Sequence, residues 1–128
     1  MNTGEKITKF TDLYAWQEGH KLVLMVYKST ENFPDKERFG IIDQMRRAVV
    51  SITSNVAEGF SRRSSKEKNR FYQVAQASLV ELQNQLIISK DINYLAAVDF
   101  KTLADQSITT NKLLNGLLKA TREKKFET

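Results

Sequence analysis

The sequence predicts an all-α protein, an antiparallel up-down four-helix bundle formed by a single domain of 128 residues. Apolar residues recur at steps of three and four through four long segments, which is the period of a helix with one buried face. The chain contains one proline and five glycines, too few for the frequent turns of a β-sandwich or barrel. Capping residues and breakers bound the segments, so the connecting loops are expected to be short.

The first helix is expected over about residues 12–32. Asp12 is its candidate N-cap, and Pro34 ends the segment because a proline disfavours helical geometry at the preceding Phe33. The predicted core stripe of this helix consists of Leu13, Trp16, His20, Val23 and Tyr27.

The second helix is expected over about residues 35–60, with Gly59 as a left-handed C-terminal cap. Its core stripe is Ile42, Met45, Val49, Ile52, Val56 and Phe60. The opposite row is polar and consists of Arg47, Ser51, Ser54 and Glu58. Acid-before-base pairs at i, i+4 are Asp43–Arg47 and Glu58–Arg62. This row is expected to face solvent or another subunit rather than to form a catalytic site.

The third helix is expected over about residues 65–91, opened by a capping box between Ser64 and Glu67. The fourth is expected over about residues 99–122, with Asp99 as its cap. The inward residues of these two helices are Tyr72, Ala75, Leu79, Leu82, Leu86, Leu103, Ser107, Thr110, Leu114 and Leu117.

The composition excludes several kinds of chemistry. The chain has no cysteine, so disulfides, thiolate catalysis and cysteine-based zinc sites are excluded. His20 is the only histidine and is expected to be a core residue, and no phosphate-binding or nucleophile motif occurs. Glu58 and Glu81 alone would make a weak metal site. We therefore expect a non-enzymatic protein without a metal or another cofactor.

The sequence also bears on location. The N-terminal segment "MNTGEKITKF" has no contiguous apolar core and does not look like a signal peptide. The longest apolar run, "LVLMVY", is too short to span a bilayer. A cytoplasmic protein that does not enter the membrane is expected.

Two helices carry apolar residues outside their predicted core stripes, which favours self-association over a merely wide stripe. In the first helix these residues are Tyr14, Leu22 and Met25. In the third they include Val74, Ala77 and Ile88. Asn55, Glu58 and Arg47 of the second helix are expected to fix packing or to contact another subunit.

Basic residues cluster around the predicted start of the third helix, where free amides and the helix dipole also favour an anion. They are Arg62, Arg63, Lys66, Lys68 and Arg70, and Arg46 could extend the patch from the flank of the second helix. A second basic segment is the tail "KATREKK". Phosphate contacts by such residues predict nucleic-acid binding, with solvated surface charge as the alternative.

The sequence resembles the bacterial four-helix-bundle proteins linked to 23S rRNA intervening sequences. The resemblance is carried by "LYAWQEGHKLVLMVYKSTENFP", by "ERFGIIDQMRRAVVSITSNVAEGFSRRSSKEKNRF" and by "ASLVELQNQL". It implies a ring-shaped homopentamer with no established catalytic activity. It also implies association with nucleic acid, or alternatively a scaffold for a protein partner such as a reverse transcriptase. "KDINYL" replaces a turn that commonly contains glycine in this family, so Asn93 is expected in the left-handed conformation.

Overall fold

The computed structural model describes residues 6–125, which form four α-helices and, in the part described, no strand. The helices are α1 (Tyr14–Thr30), α2 (Ile41–Ser61), α3 (Ser65–Asp91) and α4 (Ala97–Lys125). Short 3-10 turns precede α1 and α2, at Phe10–Asp12 and Asp35–Glu37. The predicted all-α, four-helix fold is confirmed.

The helices pack around one apolar core, and each helix contacts two others. α1 contacts α2 and α4, while α3 also contacts α2 and α4. The largest side chains that are fully buried in this core include Leu22, Met45, Ile52, Tyr72, Leu79, Leu82, Leu86, Leu103 and Leu114. The predicted core residues of α2 and α3 are confirmed with one exception, because Phe60 is only partly buried.

Leu13 is buried as predicted, but the rest of the predicted core stripe of α1 is wrong by about one residue. The residues of α1 that are buried are Ala15, Gly19, Leu22, Val26 and Thr30. Trp16, His20 and Val23 are only half-buried, and Tyr27 is exposed. Leu22, which we expected on a second apolar face, has no exposed surface. The shift arises because small residues face α2 and α4. The Cα of Gly19 comes so close that an added Cβ would lie 3.1 Å from the Cγ2 of Thr53.

Three predicted helix starts are wrong. Asp12 does not cap α1: its carboxylate accepts hydrogen bonds from the amides of Thr8 (3.0 Å) and Lys9 (3.1 Å) and closes the preceding 3-10 turn. Asp35 opens a separate 3-10 turn, so α2 begins only after Gly40. Asp99 lies inside the first turn of α4, because that helix begins at Ala97. The bounds expected at about 12–32, 35–60 and 99–122 are corrected accordingly, whereas α3 has the expected bounds.

Two local predictions are confirmed. The Ser64 hydroxyl accepts a hydrogen bond from the amide of Glu67 at 3.1 Å, which caps α3. Asn93 has a φ of 68°, the only positive φ of a non-glycine residue among residues that the structure describes. The chain reverses there, and the amides of Tyr94 and Leu95 both donate to the Ser89 carbonyl, at 2.9 and 3.1 Å.

Candidate nucleic-acid interface at the corner between α2 and α3

The basic cluster lies where α2 ends and α3 begins. Only three residues, numbers 62–64, separate the two helices. Arg62 has an extended backbone (φ −77°, ψ 154°), and so has Ser64 (φ −90°, ψ 146°). The hydroxyl of Ser61 donates to the Glu58 carbonyl at 2.6 Å, which closes the last turn of α2. The corner is therefore a tight turn with defined hydrogen bonds at both helix ends.

Gly59 has a different role from the predicted left-handed cap, and that prediction is wrong. It lies inside α2 and is buried, and α2 continues to Ser61. An added Cβ would lie 2.6 Å from Cε1 and 2.9 Å from Cδ1 of Tyr72, and 3.1 Å from the Cβ of Phe71. The absence of a side chain lets α2 and α3 approach closely just before the corner. Burial of the Tyr72 ring raises the pKa of its hydroxyl to about 12.

Two of the predicted cations contact the protein itself. The guanidinium of Arg62 pairs with Glu58 (3.2 Å) and lies 4.6 Å from the centre of the Phe71 ring. The ammonium of Lys68 donates to the Phe60 carbonyl at 2.6 Å and lies 5.1 Å from the Phe60 ring centre. Lys68 therefore satisfies a carbonyl at the C-terminal end of α2. Both side chains stabilise the corner, although Arg62 remains partly open to solvent.

Three further cations differ from these two. Arg63, Lys66 and Arg70 are exposed, and they form no hydrogen bond or ion pair with the residues described. All three surround the N-terminal end of α3, which begins at Ser65. They leave a set of open cationic groups on one side of the corner.

Arg46 does not extend this cluster, so that prediction is wrong. It lies near the start of α2, 16 residues or roughly 24 Å of helix away from Arg62. Its Nε donates to the Thr30 hydroxyl at 3.0 Å, its Nη2 donates to the Tyr27 carbonyl at 3.4 Å, and its guanidinium lies 4.6 Å from the centre of the Tyr27 ring. Arg46 ties α2 to the C-terminal end of α1.

The predicted polar row of α2 is only partly exposed. Arg47 pairs with Asp43 at 2.9 Å on the surface, as predicted. Ser51, however, is partly buried, and its hydroxyl lies 2.8 Å from the Ser78 hydroxyl of α3, so it contacts a helix of the same chain. Asn55 donates to the carbonyl (2.8 Å) and the hydroxyl (3.0 Å) of Ser51. Asn55 therefore supports this contact between α2 and α3.

The other residues predicted to pack or to form a subunit interface have mixed positions. Tyr14, Val74 and Ile88 are exposed, and Met25 is partly buried. Leu22 is a core residue, so it is not available to a second subunit. Val80 and Ile87 of α3 are exposed as well, and the exposed apolar set is larger than predicted because it also includes Leu24, Val50, Val98 and Ile108.

Other site chemistry is sparse within the described residues. Between residues 6 and 125, no three histidine, aspartate or glutamate side chains come together as a candidate metal site. His20 stacks on Trp16, with ring centres 4.8 Å apart. None of the described helices combines the length and the hydropathy needed to cross a bilayer.

A family model described as "23S rRNA-intervening sequence protein" matches residues 11–116. The chain belongs to the 23S rRNA-intervening sequence protein family. The match covers all of α1, α2 and α3 and most of α4. The family predicted from the sequence is thereby confirmed.

The fold of this family member is also similar to a solved structure. That crystal structure is described as a protein of unknown function from the S23 ribosomal protein family of Bacteroides thetaiotaomicron. The TM-score is 0.75 at 18% sequence identity, and the alignment covers 82% of this chain and 95% of that chain. Likeness at this identity shows the fold alone. No curated protein matches the sequence.

Proposed function

We propose that this chain is a non-enzymatic, cytoplasmic protein that assembles into a homo-oligomer and binds nucleic acid through the cations at the corner between α2 and α3. Membership of the 23S rRNA-intervening sequence protein family supports the proposal. The observation that carries it is the position of Arg63, Lys66 and Arg70, which are exposed around the start of α3.

Cations at this position are not expected to stabilise the fold. The N-terminal end of a helix carries partial positive charge, so cations in the first turn destabilise it by about 0.3–1 kcal/mol each. Lys66 lies in the first turn of α3, and Arg63 lies just before it. A bound phosphate would relieve this repulsion and would also accept hydrogen bonds from the free amides. Solvation alone gives no reason to concentrate cations at this helix end.

The helices are inferred to run antiparallel, up and down. Contacts between α2 and α3 join Gly59 to Tyr72, Ser51 to Ser78 and Met45 to Ser89, so the residue numbers increase along one helix as they decrease along the other. In α3 and α4, Gln83 donates to Ser107 at 3.1 Å and Gln76 bonds to Asn115, in the same reversed order. The corner cluster would then lie at one end of the bundle.

Self-association would use the exposed apolar side chains. Val80 of α3 is 59% exposed and Leu24 of α1 is 58% exposed. Their burial between subunits would be favourable at about 25 cal/mol per Å² of apolar surface. A ring of five subunits is what the family resemblance implies, and it would present five corners to one polyanion. Light scattering after size exclusion should give a mass near five protomers, and a monomer at micromolar concentration would contradict this part of the proposal.

The binding test compares two charge reversals of equal size. We expect Arg63→Glu with Lys66→Glu to weaken binding of labelled RNA and DNA at least tenfold in fluorescence anisotropy at physiological salt. The thermal midpoint should stay the same or rise, because carboxylates suit the start of a helix. The control, Lys36→Glu with Arg38→Glu, changes exposed cations near the start of α2 and should leave affinity unchanged. If both variants lose affinity equally, the effect comes from the overall positive charge of the protein. That result would refute the corner as the binding site.

A second function is favoured by a different observation. Phe39, in the loop before α2, is 90% exposed, more than any other large apolar residue described. Such a side chain fits a scaffold or adaptor that binds a protein partner, for which the family resemblance suggests a reverse transcriptase. A pulldown after nuclease treatment should then recover a protein from the wild type that Phe39→Ala fails to retain. Retention of the same protein by both would argue against Phe39 as the contact.

A further inference from the structure

The end of the bundle that carries the corner also holds basic and aromatic residues from two other parts of the chain. We propose that this whole end binds single-stranded nucleic acid, with phosphates on cations of α3 and α4 and bases on rings at the start of α1. The proposal rests on the nucleic-acid-binding function proposed above. It specifies single strands as the class of ligand. It also adds residues of α4 and of the start of α1, which lie outside the basic cluster at the start of α3.

The C-terminal part of α4 reaches the same end of the bundle. Gln76 of α3 bonds to Asn115 of α4, and Arg122 lies seven residues further along α4, about 10 Å beyond that contact. Since α3 and α4 run in opposite directions, Arg122 is level with the first turns of α3. Lys119 and Arg122 are both exposed. They therefore continue the cationic surface formed by the corner residues.

The segment before α1 carries an exposed aromatic ring. Its 3-10 turn packs against α1 and α2, and it contains Phe10, which is 36% exposed, while Tyr14 in the first turn of α1 is 41% exposed. The ring of Phe10 meets Trp16 edge-on at 5.5 Å. The turn is held by Asp12, and the hydrogen bonds from Thr8 and Lys9 lower the pKa of its carboxyl group. The Phe10 ring is thus fixed on structured backbone.

Fixed, exposed rings next to open cations are the combination that single strands use. The bases of a single strand can stack on aromatic side chains while its phosphates contact lysine and arginine. In a duplex the bases are already stacked on one another, so only the phosphates would be available to this surface. The combination favours single strands over duplexes.

The carboxylates at this end do not cancel its charge. Glu58 already pairs with Arg62, and Asp12 accepts the hydrogen bonds of its own turn. Glu67 and Glu123 are exposed and would face the ligand with the cations.

At the opposite end, cations and carboxylates alternate along the loop before α2, as in Glu31, Asp35, Lys36, Glu37 and Arg38. Among the described residues, the excess of open cations therefore lies at the corner end, which also carries the exposed rings of Phe10 and Tyr14.

The test uses the full chain with labelled 20-residue oligouridylate, 20-residue oligothymidylate and a 20-base-pair duplex, all at physiological salt. We expect the wild type to bind single strands at least tenfold more tightly than the duplex. Phe10→Leu with Tyr14→Leu, which removes the rings but keeps apolar bulk, should lose about tenfold for single strands and little for the duplex. Phe39→Leu is the matched control and should change neither. Tighter binding of oligouridylate would assign the ligand to RNA, and tighter binding of oligothymidylate to DNA.

Two further measurements separate the parts of the proposal. Lys119→Glu with Arg122→Glu should weaken every ligand, and an unchanged affinity would remove α4 from the site. Trp16 is the only tryptophan and contacts Phe10, so single strands should change its fluorescence in the wild type. Equal binding of duplex and single strands, or a preference that survives loss of both rings, would overturn the single-strand inference and leave the proposed function intact. No binding to any ligand would overturn both.

Discussion

Replacement of Gly59 by alanine tests the packing that positions the basic corner. The new Cβ would lie 2.6 Å from Cε1 of Tyr72, about 1 Å closer than two carbon atoms normally approach. Tyr72 is 1% exposed, so its ring has no open space to move into. Overpacking of this kind costs about 1–3 kcal/mol, while replacing a helical glycine by alanine gains about 1 kcal/mol. We expect a net loss of about 1 kcal/mol in the free energy of unfolding.

A matched control is provided by Gly116→Ala. Gly116 also lies inside a helix, but an added Cβ there would meet nothing within 4 Å. This variant should gain the full helix-propensity term of about 1 kcal/mol. Urea unfolding followed by circular dichroism, at one protein concentration, measures both. The steric cost should disappear when Gly59→Ala is made together with Tyr72→Leu. Equal stabilisation by the two alanine substitutions would refute the close-approach explanation.

Three further predictions concern local contacts. The pKa of the Tyr72 hydroxyl is raised from 10.0 to about 12, so the folded protein retains a proton that the unfolded chain releases. The free energy of unfolding should therefore fall between about pH 10 and 12, by roughly 2–3 kcal/mol in all, and this fall should be smaller in Tyr72→Phe when urea unfolding is compared across that range. Ser64→Ala should lower the free energy of unfolding by about 1 kcal/mol, because the amide of Glu67 loses its acceptor; Ser61→Ala, at the other side of the corner, is the comparison. Asn93→Ala should cost about 1 kcal/mol because of its positive φ, whereas Asn93→Gly should stay within about 0.5 kcal/mol of the wild type in thermal unfolding.

The sequence predicted the number of helices and most of the core of α2 and α3, because large apolar residues there follow one period. The predicted buried face of α1 was wrong for a physical reason. Five successive apolar residues occupy positions 22–26, so several stripes fit that segment equally well. The buried face is in fact marked by Ala15 and Gly19, small residues that allow close contact and carry little hydrophobic signal.

The predictions of three helix starts were wrong for a related reason. Asp12, Asp35 and Asp99 are the residue type that caps helices, and the preference for that type cannot distinguish the cap of a helix from a 3-10 turn or a first-turn residue. In each case the surrounding backbone, and not the aspartate side chain, determines where the helix begins. At Asp35 the separate turn is followed by Gly40, whose backbone (φ −105°, ψ −120°) starts α2 instead.

At the candidate site, the sequence pattern alone does not show which cations are available to a ligand. Lys68 and Lys66 are two residues apart and chemically identical, yet Lys68 bonds to the Phe60 carbonyl while Lys66 is exposed at a helix start. At the C-terminal end of α2, a cation such as Lys68 lowers the energy of the fold, since the helix dipole is negative there. Its presence therefore says little about a ligand. At the start of α3 the dipole opposes a cation, so a ligand is the better explanation for Lys66 and Arg63. The direction of each helix, which charge composition cannot express, decides which basic residues carry information about function.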